Sequence, residues 1–211
     1  MKFKLLFSYR FLLFILSVLG VYLQLTKHGG FGMMLYYTIL SNMLVMFFMG
    51  DMVWRMVRGR STQTKGYLRM KGAVTMSIMI TCVIYHFMLA PLATPEKFYR
   101  LENFLCHYIV PLMFFFDTLV IDKAKQYRKF DPFLWTSIPL AYMLFALLNG
   151  LVLKWPIPGA KDSPFAYFFI NVNKYGWAFV GKWVVIIFIA YLLAGYVLYG
   201  IKNIKRKSPV S

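Results

Sequence analysis

Apolar residues run almost unbroken through six stretches, at about 8 to 26, 33 to 54, 72 to 92, 104 to 122, 133 to 153 and 181 to 201, with polar and basic residues gathered between them. A bilayer core roughly 30 Å thick asks for about 20 mostly apolar residues per helical crossing. The pattern therefore predicts an all-α fold: a polytopic six-transmembrane-helix bundle, with residues 1–211 forming a single integral membrane domain. A few polar residues interrupt these stretches, and they are the candidates for chemistry.

Composition agrees with a membrane protein. The 211 residues are 60% hydrophobic and 19% aromatic, only 15% are charged, and the mean hydropathy is +0.62. Few soluble domains look like this. The net charge of +17 would suggest nucleic acid in a soluble chain. Here its placement gives a different answer. Most of the 24 Lys and Arg fall on alternate connections: Lys2, Lys4 and Arg10, the run from Arg55 to Lys71, Lys123 to Lys129, and Lys202 to Lys207. By the positive-inside rule both termini are cytoplasmic, in a cell membrane read as the bacterial plasma membrane, and nucleic acid is not a partner. Lys2 and Lys4 resemble the start of a signal peptide, but the first stretch runs on to Thr26 without a small-residue cleavage site, so it is read as a helix. Cys82 and Cys106 form neither a disulfide framework nor a metal or redox pattern, and no cofactor or metal is expected.

This topology brings polar residues from four spans to one depth, in the outer leaflet. They are Thr38, Ser41 and Asn42 in the second span, Tyr85 and His86 in the third, His107 in the fourth and Asn149 in the fifth. Thr38 and Asn42, four apart, share a helix face. Unpaired polar groups in hydrocarbon cost several kcal/mol, so these residues need one another or a ligand. Pro111 removes the N–H that the His107 carbonyl would accept, which predicts a kink there. Cys106 points about 100° away from His107, so a Cys–His pair is not expected. Asp117 lies roughly 15 Å below His107 and is read as pairing with an inner-side Lys or Arg rather than completing a triad. Asp51 is expected to pair with Arg55, His28 to be a solvated loop residue, and the basic second loop to be a solvated charge run. The long segment 154–180, rich in proline and aromatic residues, is expected in the headgroup zone as a belt or a lid.

A hydroxyl beside an imidazole is the minimum for nucleophilic acyl transfer: the base takes the proton and a covalent acyl intermediate forms. Asn42, Asn149 or His86 would supply donors for the oxyanion. There is no GxSxG elbow, HExxH, P-loop or clustered acidic pair to support soluble hydrolase, metalloprotease or nucleotide-driven mechanisms.

The residues that carry this site also carry a resemblance. Tyr37-Thr38-x-x-Ser41-Asn42, Val83-Ile84-Tyr85-His86 through Leu89-Ala90-Pro91, His107-x-x-x-Pro111 with Asp117, and Pro139-Leu140-Ala141-Tyr142 leading to Gly150 and Trp155-Pro156 resemble the bacterial predicted six-transmembrane proteins. Those are similar to the androgen-induced protein and ADTRP family. The Thr-to-Asn and His-to-Pro spacings each differ by one residue from the eukaryotic pattern. The resemblance implies a membrane hydrolase of fatty acid esters of hydroxy fatty acids, with Thr38 as nucleophile and His107 as its partner. The expected partners are membrane lipids and a lipid ester. The alternative is a non-enzymatic binder or transporter of a small amphiphile in the same pocket, although transporter sites usually sit near the midplane between broken helices.

Overall fold

The computed structural model describes residues 3–160 and 163–204. Lys2 and the basic tail residues Lys205, Arg206 and Lys207, expected to face the cytoplasm, lie outside the described residues. Six helices are long and apolar enough to cross a membrane: α1 (Phe3–His28), α2 (Tyr37–Val57), α3 (Lys65–Leu92), α4 (Leu101–Ile121), α5 (Asp131–Leu153) and α6 (Val172–Asn203). No strand occurs among the described residues. The chain is an all-α, multi-pass bundle whose six crossings put both ends at one face. Phe11, Phe47, Leu144, Val185 and Leu193 point outward, as lipid-facing side chains do.

The helix ends differ from the hydropathy pattern for local reasons. Gly29 and Gly30 take positive φ and lead into a 3-10 turn at Gly30–Leu35, so α2 starts at Tyr37 rather than near residue 33. α3 begins within the basic connection, at Lys65, because Lys71 finds its counter-ions inside the bundle. α6 starts at Val172, with Asn171 accepting from the Lys174 N–H at 3.1 Å, and Gly176 (φ 77°) breaks it after one turn. Three helices carry four widened π turns: Tyr85–Leu89 in α3, Leu105–Ile109 and Asp117–Ile121 in α4, and Asn149–Leu153 in α5. Three of these lie at the end of the bundle away from the termini.

α1, α2, α3 and α4 share one core around Leu13, Val45, Met49, Ile78, Val110 and Phe114. At the terminus-bearing end, Arg10 and Lys71 are fully buried. Arg10 Nε and Nη2 donate to Asp117 at 2.9 and 3.0 Å, and Lys71 pairs with Asp117 and, at 2.7 Å, with Asp122. Asp117 thus finds the inner-side Arg and Lys expected for it. The second loop also turns inward: Arg10 donates to Thr62 at 3.2 Å and Gln63 to Asp122 at 3.3 Å. Asp51 pairs with Arg55 as anticipated, at 2.6 Å. His28 is not a free loop residue; it ends α1 with Nε2 2.9 Å from the buried Glu102.

Of the segment 154–180, expected in the headgroup zone as a belt or a lid, Trp155, Tyr175 and Trp177 are exposed, while the aromatic run in its middle leaves the surface. Phe165, Tyr167, Phe169 and Ile170 turn inward and pack with Tyr37 and Ala146.

Candidate active site

The extended Tyr36 turns the chain into α2, which leaves Thr38 in the first helical turn, where backbone N–H groups have no intrahelical acceptor. The Thr38 N–H donates instead to Tyr167 Oη, 3.3 Å away. Thr38 Oγ lies 3.3 Å from His107 Nε2 and 3.4 Å from Tyr167 Oη. The threonine is 9% exposed and the histidine 7%, so bulk water does not compete for this contact.

His107 sits in the π turn that precedes Pro111. With no N–H on Pro111, the Val110 N–H reaches back five residues to the Leu105 carbonyl. His107 Nδ1 is 3.0 Å from the Asn103 carbonyl, an acceptor, so Nδ1 carries the proton and donates. Nε2 then presents its lone pair to the Thr38 hydroxyl. The Tyr85 ring stacks on the imidazole, centroids 3.8 Å apart and 23° between planes. Asn103 Nδ2 donates to Tyr85 Oη at 2.6 Å and fixes that ring in turn. The hydroxyl proton therefore faces a neutral, oriented base, the arrangement that nucleophilic attack needs.

Ser41 and Asn42 belong to the scaffold under this pair. Ser41 Oγ bonds to the Thr38 carbonyl and to Thr81 Oγ at 2.7 Å. Asn42 Nδ2 donates to the Thr38 carbonyl at 2.8 Å and the Cys106 carbonyl at 3.0 Å, tying α2 to α4 beside the reacting groups. Its donors are thereby used, which corrects the expectation that Asn42 would face an oxyanion. Asn149 is also elsewhere: it holds the long loop, donating to the Trp155 and Pro164 carbonyls and accepting from the Trp155 N–H at 3.1 Å. His86 is exposed, with Nδ1 3.2 Å from Tyr108 Oη, and does not reach Thr38. Cys106 is buried, a free thiol, and makes no pair with His107.

Tyr167 and Asn103 are the residues that sequence reasoning missed. The only signal for Tyr167 was the aromatic run 165–169, which reads equally well as an interfacial belt. Burial pushes its phenol pKa up and raises that of Tyr36 to about 12, so both hydroxyls stay protonated. A cavity of about 110 Å³ opens beside Thr38, walled by Thr38, Tyr85, Leu140, Met143, Phe169 and Ile187 among others, and its surface is almost wholly apolar. Among the described residues no group of three or more His, Cys, Asp or Glu is placed to hold a metal ion. Compared with protein-family models, with curated proteins and with solved structures, the chain matches none.

Proposed function

We propose that the chain is an intramembrane hydrolase of lipid esters, of the fatty acid ester of hydroxy fatty acid type, with Thr38 as nucleophile and His107 as base. One observation carries this reading: Thr38 Oγ lies 3.3 Å from His107 Nε2 in a buried pair. The apolar cavity beside Thr38 suits an acyl chain, and the positive-inside reading of the charge distribution favours the outer leaflet for this end of the bundle. Thr38 Oγ attacks the ester carbonyl carbon while its proton passes to His107 Nε2; the C–O bond to the alcohol breaks, and the alcohol leaves with that proton. Water, giving a proton to His107 Nε2, then attacks the acyl carbon; the bond from that carbon to Thr38 Oγ breaks, the acid leaves, and His107 returns the proton to Thr38 Oγ.

A fluorophosphonate probe applied to membranes containing the protein is expected to label Thr38. Thr38→Ala removes labelling, and His107→Ala slows it by on the order of 10² to 10⁴-fold, the usual worth of a general base. Unchanged labelling of the His107 variant sinks the assigned mechanism. The second reading, a binder of a small amphiphile, draws on the same apolar cavity. Under it, Thr38→Ala protein still takes up a fluorescent fatty acid, while neither parent nor variant turns over an ester.

A further inference from the structure

We propose that Tyr167 is a catalytic residue: its phenol O–H and the Thr38 N–H together hold the carbonyl oxygen as it takes up negative charge. This rests on the ester-hydrolase reading of Thr38 and His107.

Acyl transfer to a hydroxyl needs donors aimed where the oxyanion develops. The groups expected to supply them do not: the Asn42 amide bonds two backbone carbonyls, the Asn149 amide bonds the loop, and His86 faces Tyr108. Two donors remain beside the nucleophile among the described residues. One is the Thr38 N–H, at the positive end of a 21-residue helix and free of any intrahelical acceptor. The other is Tyr167. Its Oη lies 3.3 Å from that N–H and 3.4 Å from Thr38 Oγ, so a substrate oxygen drawn in beside the nucleophile comes within hydrogen-bond reach of both donors.

The phenol is held in place before substrate arrives. Its ring stacks on Phe169 at 5.2 Å and meets Tyr36 and Tyr142 edge to face at 5.8 and 6.3 Å. Tyr36 Oη donates to the Pro158 carbonyl at 2.7 Å, strapping the loop to the start of α2. Such preorganisation is what makes a donor effective at the moment of reaction. Burial keeps the phenol protonated, so it remains a donor.

As Thr38 Oγ bonds to the carbonyl carbon, the C=O π pair moves onto oxygen and the hydroxyl proton moves to His107 Nε2. The oxyanion settles against the Thr38 N–H and the Tyr167 O–H and accepts a hydrogen bond from each. When the π bond re-forms, the alkoxide leaves with the proton from His107, and both donors return to a neutral carbonyl.

The test uses the purified full chain in lipid nanodiscs with p-nitrophenyl octanoate as substrate and an aliphatic trifluoromethyl ketone as inhibitor. The inhibitor adds to the nucleophile and leaves an oxyanion in this position. Tyr167→Phe removes one oxygen and keeps the ring. Its kcat is expected to fall by about 10² to 10³-fold with KM within twofold, and the inhibitor to bind more weakly in parallel. A kcat within threefold of the parent, while Thr38→Ala is inactive, overturns the role of Tyr167 and leaves the Thr38–His107 pair standing. Activity surviving in Thr38→Ala overturns the reading beneath it. A raised KM with unchanged inhibitor affinity assigns Tyr167 to packing and overturns the proposal. Should Tyr167→Phe fail to fold, 3-fluorotyrosine introduced at position 167 keeps the shape with a more acidic O–H. The inhibitor is then expected to bind a few-fold tighter, and unchanged or weaker binding overturns the proposal.

Discussion

His107 is oriented without a carboxylate. The Asn103 carbonyl fixes its tautomer, and the stacked Tyr85 ring fixes its plane, with Asn103 Nδ2 holding the tyrosine. Aromatic pairs of this kind are worth roughly 0.5–1.5 kcal/mol beyond area burial. Tyr85→Phe keeps the stack and is expected to lower kcat/KM by no more than about threefold. Tyr85→Ala frees the imidazole to turn and is expected to cost roughly tenfold or more, about 1.4 kcal/mol of transition-state stabilisation. Ester hydrolysis by the two variants, normalised to folded protein, checks the difference; equal losses would mean that the Tyr85 hydroxyl, not the ring, does the orienting. Thr38 and His107 were legible in the sequence because polar groups in an apolar span stand out and topology fixes their depth. The roles of Asn42 and Asn149 were not, since an amide becomes a scaffold or an oxyanion donor according to which carbonyls the fold turns toward it. Tyr167 is one of 15 tyrosines in a chain where aromatics are everywhere, and only the folded loop distinguishes it.

The described parts of the loop, 154–160 and 163–171, are tied to the bundle at several points. Asn149 binds its start and middle, Asn171 Nδ2 donates to Ser163 Oγ at 3.1 Å near its end, and Pro158 rests on the turn at Gly29 and Gly32. Gly150 lies so close to the Phe165 ring that an added Cβ would overlap it. Asn149→Ala strands backbone groups of Trp155 and Pro164, at about 1–3 kcal/mol for a buried polar group left without its partner. Protease cleavage within 154–171 is expected to quicken, and probe labelling of Thr38 to slow as Tyr167 leaves its place. Cleavage at the parental rate would show that the loop is held by other contacts. Hydropathy predicted the six helices because crossing length and apolar content are additive along the chain. It missed the π turn before Pro111 and the inward course of the loop, which depend on one missing N–H and on glycines that allow close approach, neither of which a window average registers.

The buried ionic cluster and the candidate site lie at opposite ends of the bundle. Arg10 from α1, Lys71 from α3, and Asp117 and Asp122 in and just beyond α4 form one buried ionic cluster, and Lys202 from α6 joins it through the Thr118 and Asp122 carbonyls at 2.8 and 2.7 Å. The sequence separates Asp117 from His107 by roughly 15 Å along the helix, so the cluster fixes four helices without touching the reacting groups. Breaking one partner of a buried pair strands a charge and costs about 3–5 kcal/mol. Lys71→Met is therefore expected to lower Tm by on the order of 10 °C in a chain of this length. Burial, with Asp117 adding to it, pushes the Asp122 carboxyl pKa up, so Asp122 binds its proton more tightly folded than unfolded. Its contribution to stability consequently falls as pH rises from the ordinary carboxylate range through the raised value, and Asp122→Asn removes that slope. The double variant Lys71→Met with Asp122→Asn leaves the two-point Arg10–Asp117 pair neutral overall and is expected to recover much of the Tm lost by Lys71→Met alone. Below their melting temperatures all three variants should label at Thr38 at the parental rate. A variant that keeps its Tm but loses labelling would show that the cluster governs the site directly.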